Sequence, residues 1–130
     1  MTLTSPGKQR CSELLTDFRK KGLVQRGERL HFEGVGERDV YNITAPFVDR
    51  DEAIIAGRVE RRDSEHSEVH FFHERDGVWV PRKGDPVLTL QDPFFSRIHG
   101  ELVVGGVEIF PHPTLPGRLG WRTRFYRGSE

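Results

Sequence analysis

An all-β fold is predicted by three features of the sequence. Hydrophobicity alternates with a period of two from Glu28 onward, turn-forming residues mark the breaks between short apolar runs, and no long helical segment separates those runs. The one helical segment comes first, at residues 12–21. There Ser12 can cap, Glu13 and Asp17 sit early, and Lys20, Lys21 and Gly22 mark the end. Its stripe of Leu14, Leu15 and Phe18 is expected to cover an edge or the base of the following sheet. Strands are then predicted at 29–33, 40–44, 53–60, 68–73, 78–80, 87–90, 96–98, 101–109 and 120–127. Turn chemistry separates them at Gly34-Val35-Gly36, Asp49-Arg50-Asp51, Asp76-Gly77, Lys83-Gly84-Asp85-Pro86, His99-Gly100 and 111–117. Without helices between strands a parallel βαβ fold is excluded, and a sandwich, a barrel or a propeller remains. The repeated hairpins at Asp76-Gly77 and His99-Gly100 are a weak internal echo of the kind a propeller shows. The organisation expected is a helical extension over 1–27 and a β domain over 28–130.

Composition narrows the function classes. At 35% hydrophobic and 31% charged, the 130 residues describe an ordinary globular chain rather than a disordered or fibrous one. Twenty basic side chains balance twenty acidic ones, so no global field favours nucleic acid or an anionic membrane. No apolar run approaches the roughly 20 residues of a spanning helix. The lone Cys11 and a start without an apolar signal segment point to a reducing cytoplasm, which also argues against use of the sequon at Asn42-Ile43-Thr44. Phosphate-binding glycine loops and the Gly-x-Ser-x-Gly elbow are absent from the sequence. His66, His70 and His73 do not predict a metal site, because alternation sends His70 and His73 to opposite strand faces.

Polar chemistry concentrates in three places. Arg58, Glu60, Arg61, Arg62, Asp63, Ser64 and Glu65 follow the apolar run Ala53-Ile54-Ile55-Ala56-Gly57, and alternation puts Arg58 and Glu60 on one face. Carboxylates there can accept from sugar hydroxyls and arginine can fork onto an anion, while a solvated turn is the plainer reading. Asp92 follows Leu88-Thr89-Leu90-Gln91, and Pro93 after it is expected to hold it extended. Desolvation by Phe94 and Phe95 would raise its carboxyl and make a general acid, whereas the simpler alternative is a turn cap. In the third place, Gly105-Gly106 permits a bulge or a close backbone approach ahead of Glu108, Trp121, Phe125 and Tyr126. Those aromatics either stack on sugar rings or fill a core, with core packing the expectation for Phe125.

Taken in order, several segments carry a resemblance: 39–47 (DVYNITAPF), 55–60 (IAGRVE) with Asp63-Ser64-Glu65, Leu90-Gln91-Asp92-Pro93, Gly105-Gly106-Val107-Glu108 and 121–128 (WRTRFYRG). This set resembles an uncharacterised bacterial glycosidase-like family. That family is related to the β-mannoside phosphorylases of glycoside hydrolase family 130 and to protozoan mannosyltransferase/phosphorylases. The resemblance implies the first blades of a five-bladed β-propeller with a central sugar cleft, and Asp92 as the general acid. It also implies Asn42, Arg58, Glu60, Asp63, Gln91, Glu108 and Tyr126 as substrate-binding residues, with no metal and no cofactor beyond inorganic phosphate as co-substrate. A mannoside or oligosaccharide is the implied partner. Gln91 and Phe94 stand where the phosphorylase motif has Glu and Arg. The resemblance implies a carbohydrate-active protein that cleaves or transfers mannosyl units; relatives also run on for roughly three further blades that cradle phosphate, so the chain looks truncated, and an inactive fragment whose open sheet edges can self-associate is a further reading. A non-catalytic glycan-binding or protein-interaction module is the alternative.

Overall fold

The computed structural model describes residues 7–22 and 26–128, so the expected 1–27 extension lies partly outside the described residues. Helix α1 spans Cys11–Lys21, and eight strands follow: β1 Asp39–Tyr41, β2 Phe47–Asp49, β3 Glu52–Glu60, β4 Ser67–Arg75, β5 Val78–Pro81, β6 Gln91–Ile98, β7 Glu101–Pro111 and β8 Leu119–Arg127. They form two antiparallel sheets, one in the order β1-β3-β4-β5 with β2 also on β3, the other β6-β7-β8. The fold is the expected one, a nearly all-β part of a propeller carrying a short helix.

Local chemistry accounts for the hairpins. Arg50-Asp51, Asp76-Gly77 and His99-Gly100 are two-residue loops whose members all have positive φ, from 48° to 84°. This is what a type I′ turn requires, and it matches the twist of the strands it joins.

The core has two layers, one on each face of the first sheet. Ile55, Val59, Phe72 and Trp79 pack with Val35 under Leu30 and Phe32, while Ile54, Ala56, Val69 and Phe47 pack with Leu90 toward the second sheet. Strand β3 is thus buried on both faces, which explains the unbroken apolar run at 53–57. Arg58 and Glu60 continue the Ile54–Ala56 row, so they emerge on the face that looks toward β6.

Five expectations need correction. Segment 29–33 is no strand: Phe32 alone bridges Trp79, because the chain turns away at Gly34 and Gly36, both at positive φ. Segment 87–90 is likewise reduced to one bridge, Leu88 to Val69, after Pro86. By contrast β6 begins at Gln91 and runs through Pro93, which is tolerated on an edge strand at a bulge. Finally, the Leu14, Leu15 and Phe18 stripe of α1 is exposed and packs on none of the strands. The outer face of the first sheet is already covered by Leu30, Phe32 and Val35. The helix starts from Arg10, whose N–H donates to the Glu13 carboxylate, rather than from Ser12, and it ends as expected at left-handed Gly22.

Candidate functional site

Three strands and a bulge bring the polar residues together. The β1–β3 register sets Tyr41 opposite Arg58. Asn42 then leaves the strand at φ 45°, and the chain rejoins β3 through Thr44, which exchanges hydrogen bonds with Ala56. On β6 the pairing with β7 is irregular between Gln91 and Phe94, and Asp92 sits in that bulge. Asn42 Nδ2 donates to Asp92 Oδ1 at 2.7 Å and Arg58 Nη1 donates to the same oxygen at 3.0 Å. Asp92 Oδ2 has no hydrogen-bond partner among the described residues. Arg58 Nε and Nη2 both donate to Glu60 Oε2, at 2.9 and 2.5 Å. Glu60 Oε1 accepts from the Tyr41 hydroxyl at 2.6 Å, and the Arg58 guanidinium lies 5.1 Å from the Tyr41 ring centroid.

Asp92 departs from its expected conformation and charge state. Its φ is 47°, in the left-handed region rather than extended as Pro93 alone would favour. Asp tolerates that region better than most residues, and the bulge and two hydrogen bonds hold it there. Burial pushes its carboxyl up, but the hydrogen bonds from Asn42 and Arg58 outweigh burial and leave it below the ordinary carboxylate range. The two phenylalanines expected to desolvate it are engaged elsewhere. Phe94 packs edge-on against Phe125, and Phe95 packs on Phe47.

The other predicted residues fall in different places. Gln91 is buried beside Asp92, yet its amide donates to the Glu65 carbonyl at 2.9 Å and so ties β6 to the β3–β4 turn. Asp63 is exposed and pairs with Arg61, as a solvated turn would. Glu108, on β7, accepts from Arg122 and Arg124, which pull its carboxyl down to about 2. Tyr126 lines a cavity of about 350 Å³ between the sheets, floored by Phe47, Phe71, Leu88 and Leu102, and none of Asn42, Arg58, Glu60 and Asp92 lines it. Phe125, expected in the core, is 64% exposed because β8 is an edge strand, and its ring meets Phe94 edge-on. His70 and His73 make separate contacts, to Glu68 and Glu52. Tyr41 was not predicted. The signal that could have found it is the β1–β3 pairing, which sets it opposite Arg58.

The carboxylates predict the response to acid. Burial raises Glu60, but hydrogen bonds from Tyr41 and Arg58 win and lower it; His70 and Arg38 lower Glu68; Arg122 and Arg124 lower Glu108. Folded values below the ordinary glutamate 4.5 mean that stability from these contacts is fully present above that pH. It is then lost as pH falls through the folded values. Melting followed by circular dichroism should show a midpoint that holds between about pH 7 and about pH 5 and declines steadily below about 4.5.

Sequence and structure comparisons place the chain. Residues 16–130 match the family described as Protein of unknown function (DUF1861). The chain belongs to that family. This DUF1861 chain is also similar to MPT-1, a GDP-Man-dependent mannosyltransferase from Leishmania mexicana, with 31% identity and a TM-score of 0.77 over 90% of this chain and 38% of that one. It is similar to MPT-4, a mannose phosphorylase from the same organism solved with phosphate ion, with 29% identity and a TM-score of 0.75 over 91% of this chain and 37% of that one. A hypothetical protein from Leishmania major aligns with a TM-score of 0.70 at 28% identity, over 90% of this chain and 38% of that one. The DUF1861 chain therefore spans under two-fifths of the length of these structures. A search of curated proteins finds no match. Among the described residues no helix is long and apolar enough to cross a membrane.

Proposed function

We propose that this chain forms the acid-bearing part of a mannoside-processing enzyme of the phosphorylase or transferase type, with Asp92 as proton donor. Asn42, Arg58 and Glu60 order the site around it. The observation that carries this reading is the convergence of Asn42 and Arg58 on Asp92 Oδ1, which leaves Oδ2 open. Similarity over 90% of the chain to a mannosyltransferase and a mannose phosphorylase supports the substrate class. In phosphorolysis, a phosphate oxygen bonds to the anomeric carbon, the glycosidic C–O bond breaks, and the leaving oxygen takes the proton from Asp92. One protein acid suffices because phosphate is the nucleophile. Asp92 rests as a carboxylate, so it must first take up a proton. A sugar seated over Oδ2 excludes water and raises the carboxyl toward that state.

The test is release of mannose 1-phosphate from β-mannooligosaccharides with and without phosphate, by this chain and by a version extended to a full propeller. Asp92→Asn should lower phosphate-dependent turnover by about 10²–10⁴-fold while sparing binding of the sugar. Turnover unchanged in Asp92→Asn would overturn the assignment. Sugar binding without turnover in either version would instead favour a non-catalytic glycan-binding module.

A further inference from the structure

Tyr41 is 36% exposed and lies at the end of the three-residue edge strand β1, yet its hydroxyl is the first link in a continuous chain of contacts that ends on Asp92. The chain runs from the Tyr41 hydroxyl to Glu60 Oε1, from Glu60 Oε2 to Arg58 Nε and Nη2, and from Arg58 Nη1 to Asp92 Oδ1. A guanidinium held by two of its nitrogens has no freedom left to rotate, so the direction of Nη1 is set by Glu60. Glu60 in turn has one oxygen on Arg58 and the other on Tyr41. The Tyr41 ring lies under the guanidinium and supports it from below.

We infer that Tyr41 is a positioning residue for proton transfer: through Glu60 it locks Arg58 so that Asp92 Oδ1 can only accept, and Oδ2 is the oxygen that carries the transferable proton. This deepens the reading of Asp92 as proton donor and rests on it. The charged and titratable groups joined in the cluster are Tyr41 on β1, Arg58 and Glu60 on β3 and Asp92 on β6, with Asn42 supplying the second donor to Oδ1. The contact between Tyr41 and Glu60 also shows in the phenol, which burial and the adjacent carboxylate push up to about 12.

Two measurements test this without requiring turnover, so absence of mannoside activity would sink the enzymatic reading and leave these results interpretable. The first is a carbon-13 NMR titration of the Asp92 carboxyl in the chain, in Tyr41→Phe, and in Tyr126→Phe as a control. Tyr41→Phe keeps the ring and removes only the hydroxyl, so the Asp92 midpoint should move up toward the ordinary carboxylate range, with no movement in the control. An unchanged midpoint in Tyr41→Phe would overturn the inference. The second uses the unsubstituted chain and guards against a variant that does not fold. Arg58 should show resolved, slowly exchanging guanidinium nitrogen signals, and an averaged, freely rotating signal would refute the lock.

Discussion

Replacing Arg58 by alanine is expected to destabilise the chain by about 3–5 kcal/mol, which urea unfolding would read as a lowered midpoint with little change in slope. The reason is what stays behind. Glu60 is buried, and without Arg58 it keeps only neutral hydroxyls, those of Tyr41 and Ser67, against its negative charge. Asp92 loses one of its two donors in the same step, so its carboxyl should rise. The cost reports an abandoned buried charge and not the net worth of the ion pair. A double variant, Arg58→Met with Glu60→Met, should therefore recover much of the loss, because a buried pair replaced by apolar groups of similar volume is often close to neutral. If the double variant were as unstable as Arg58→Ala, the penalty would lie in packing and not in charge.

Gly106→Ala and Gly105→Ala are expected to cost about 1–3 kcal/mol each by overpacking, and the first should also displace Asp92. A Cβ on Gly106 would stand 2.7 Å from the Gln91 carbonyl oxygen, which is backbone and cannot swing away. A Cβ on Gly105 would run into the Phe94 ring and stand 2.6 Å from the Arg124 carbonyl oxygen. Both glycines face the bulge in β6 that presents Asp92, so the close approach allowed by Gly105-Gly106 is what lets the acid turn toward Asn42 and Arg58. Chemical denaturation gives the stability change. In Gly106→Ala the Asp92 carboxyl signal should move together with the stability, whereas Gly120→Ala, whose Cβ would first meet the Phe110 ring, should leave that signal where it is. An Asp92 signal untouched by Gly106→Ala would mean that the bulge does not depend on this contact.

What could be read from the sequence was what short-range rules govern. The hairpins at Asp76-Gly77 and His99-Gly100 follow from residue types that accept positive φ, and the shared face of Arg58 and Glu60 follows from a two-residue period. The cleft was half legible. Asn42, Arg58, Glu60 and Asp92 do meet, but Asp63, Glu108 and Tyr126 do not join them, and Tyr41 does. Spacing along one strand says which side chains share a face; it does not say which face another strand will meet.

That difference has a physical cause. Asn42 and Asp92 are 50 residues apart and Arg58 and Asp92 are 34 apart, so their contacts exist only once the two sheets pack through Ile54, Ala56, Val69 and Leu90. The sign of the Asp92 shift depends on those contacts, since aromatic neighbours in sequence argued for a raised carboxyl and donors from another sheet lower it. The same holds for α1, whose apolar stripe promised a packing role that Leu30 and Phe32 had already filled. By itself the sequence determined the strand class, the turns and the polar strand end, all set by neighbours a few residues apart; the tertiary structure alone decided which carboxylate meets which cation, because that follows from packing between distant segments.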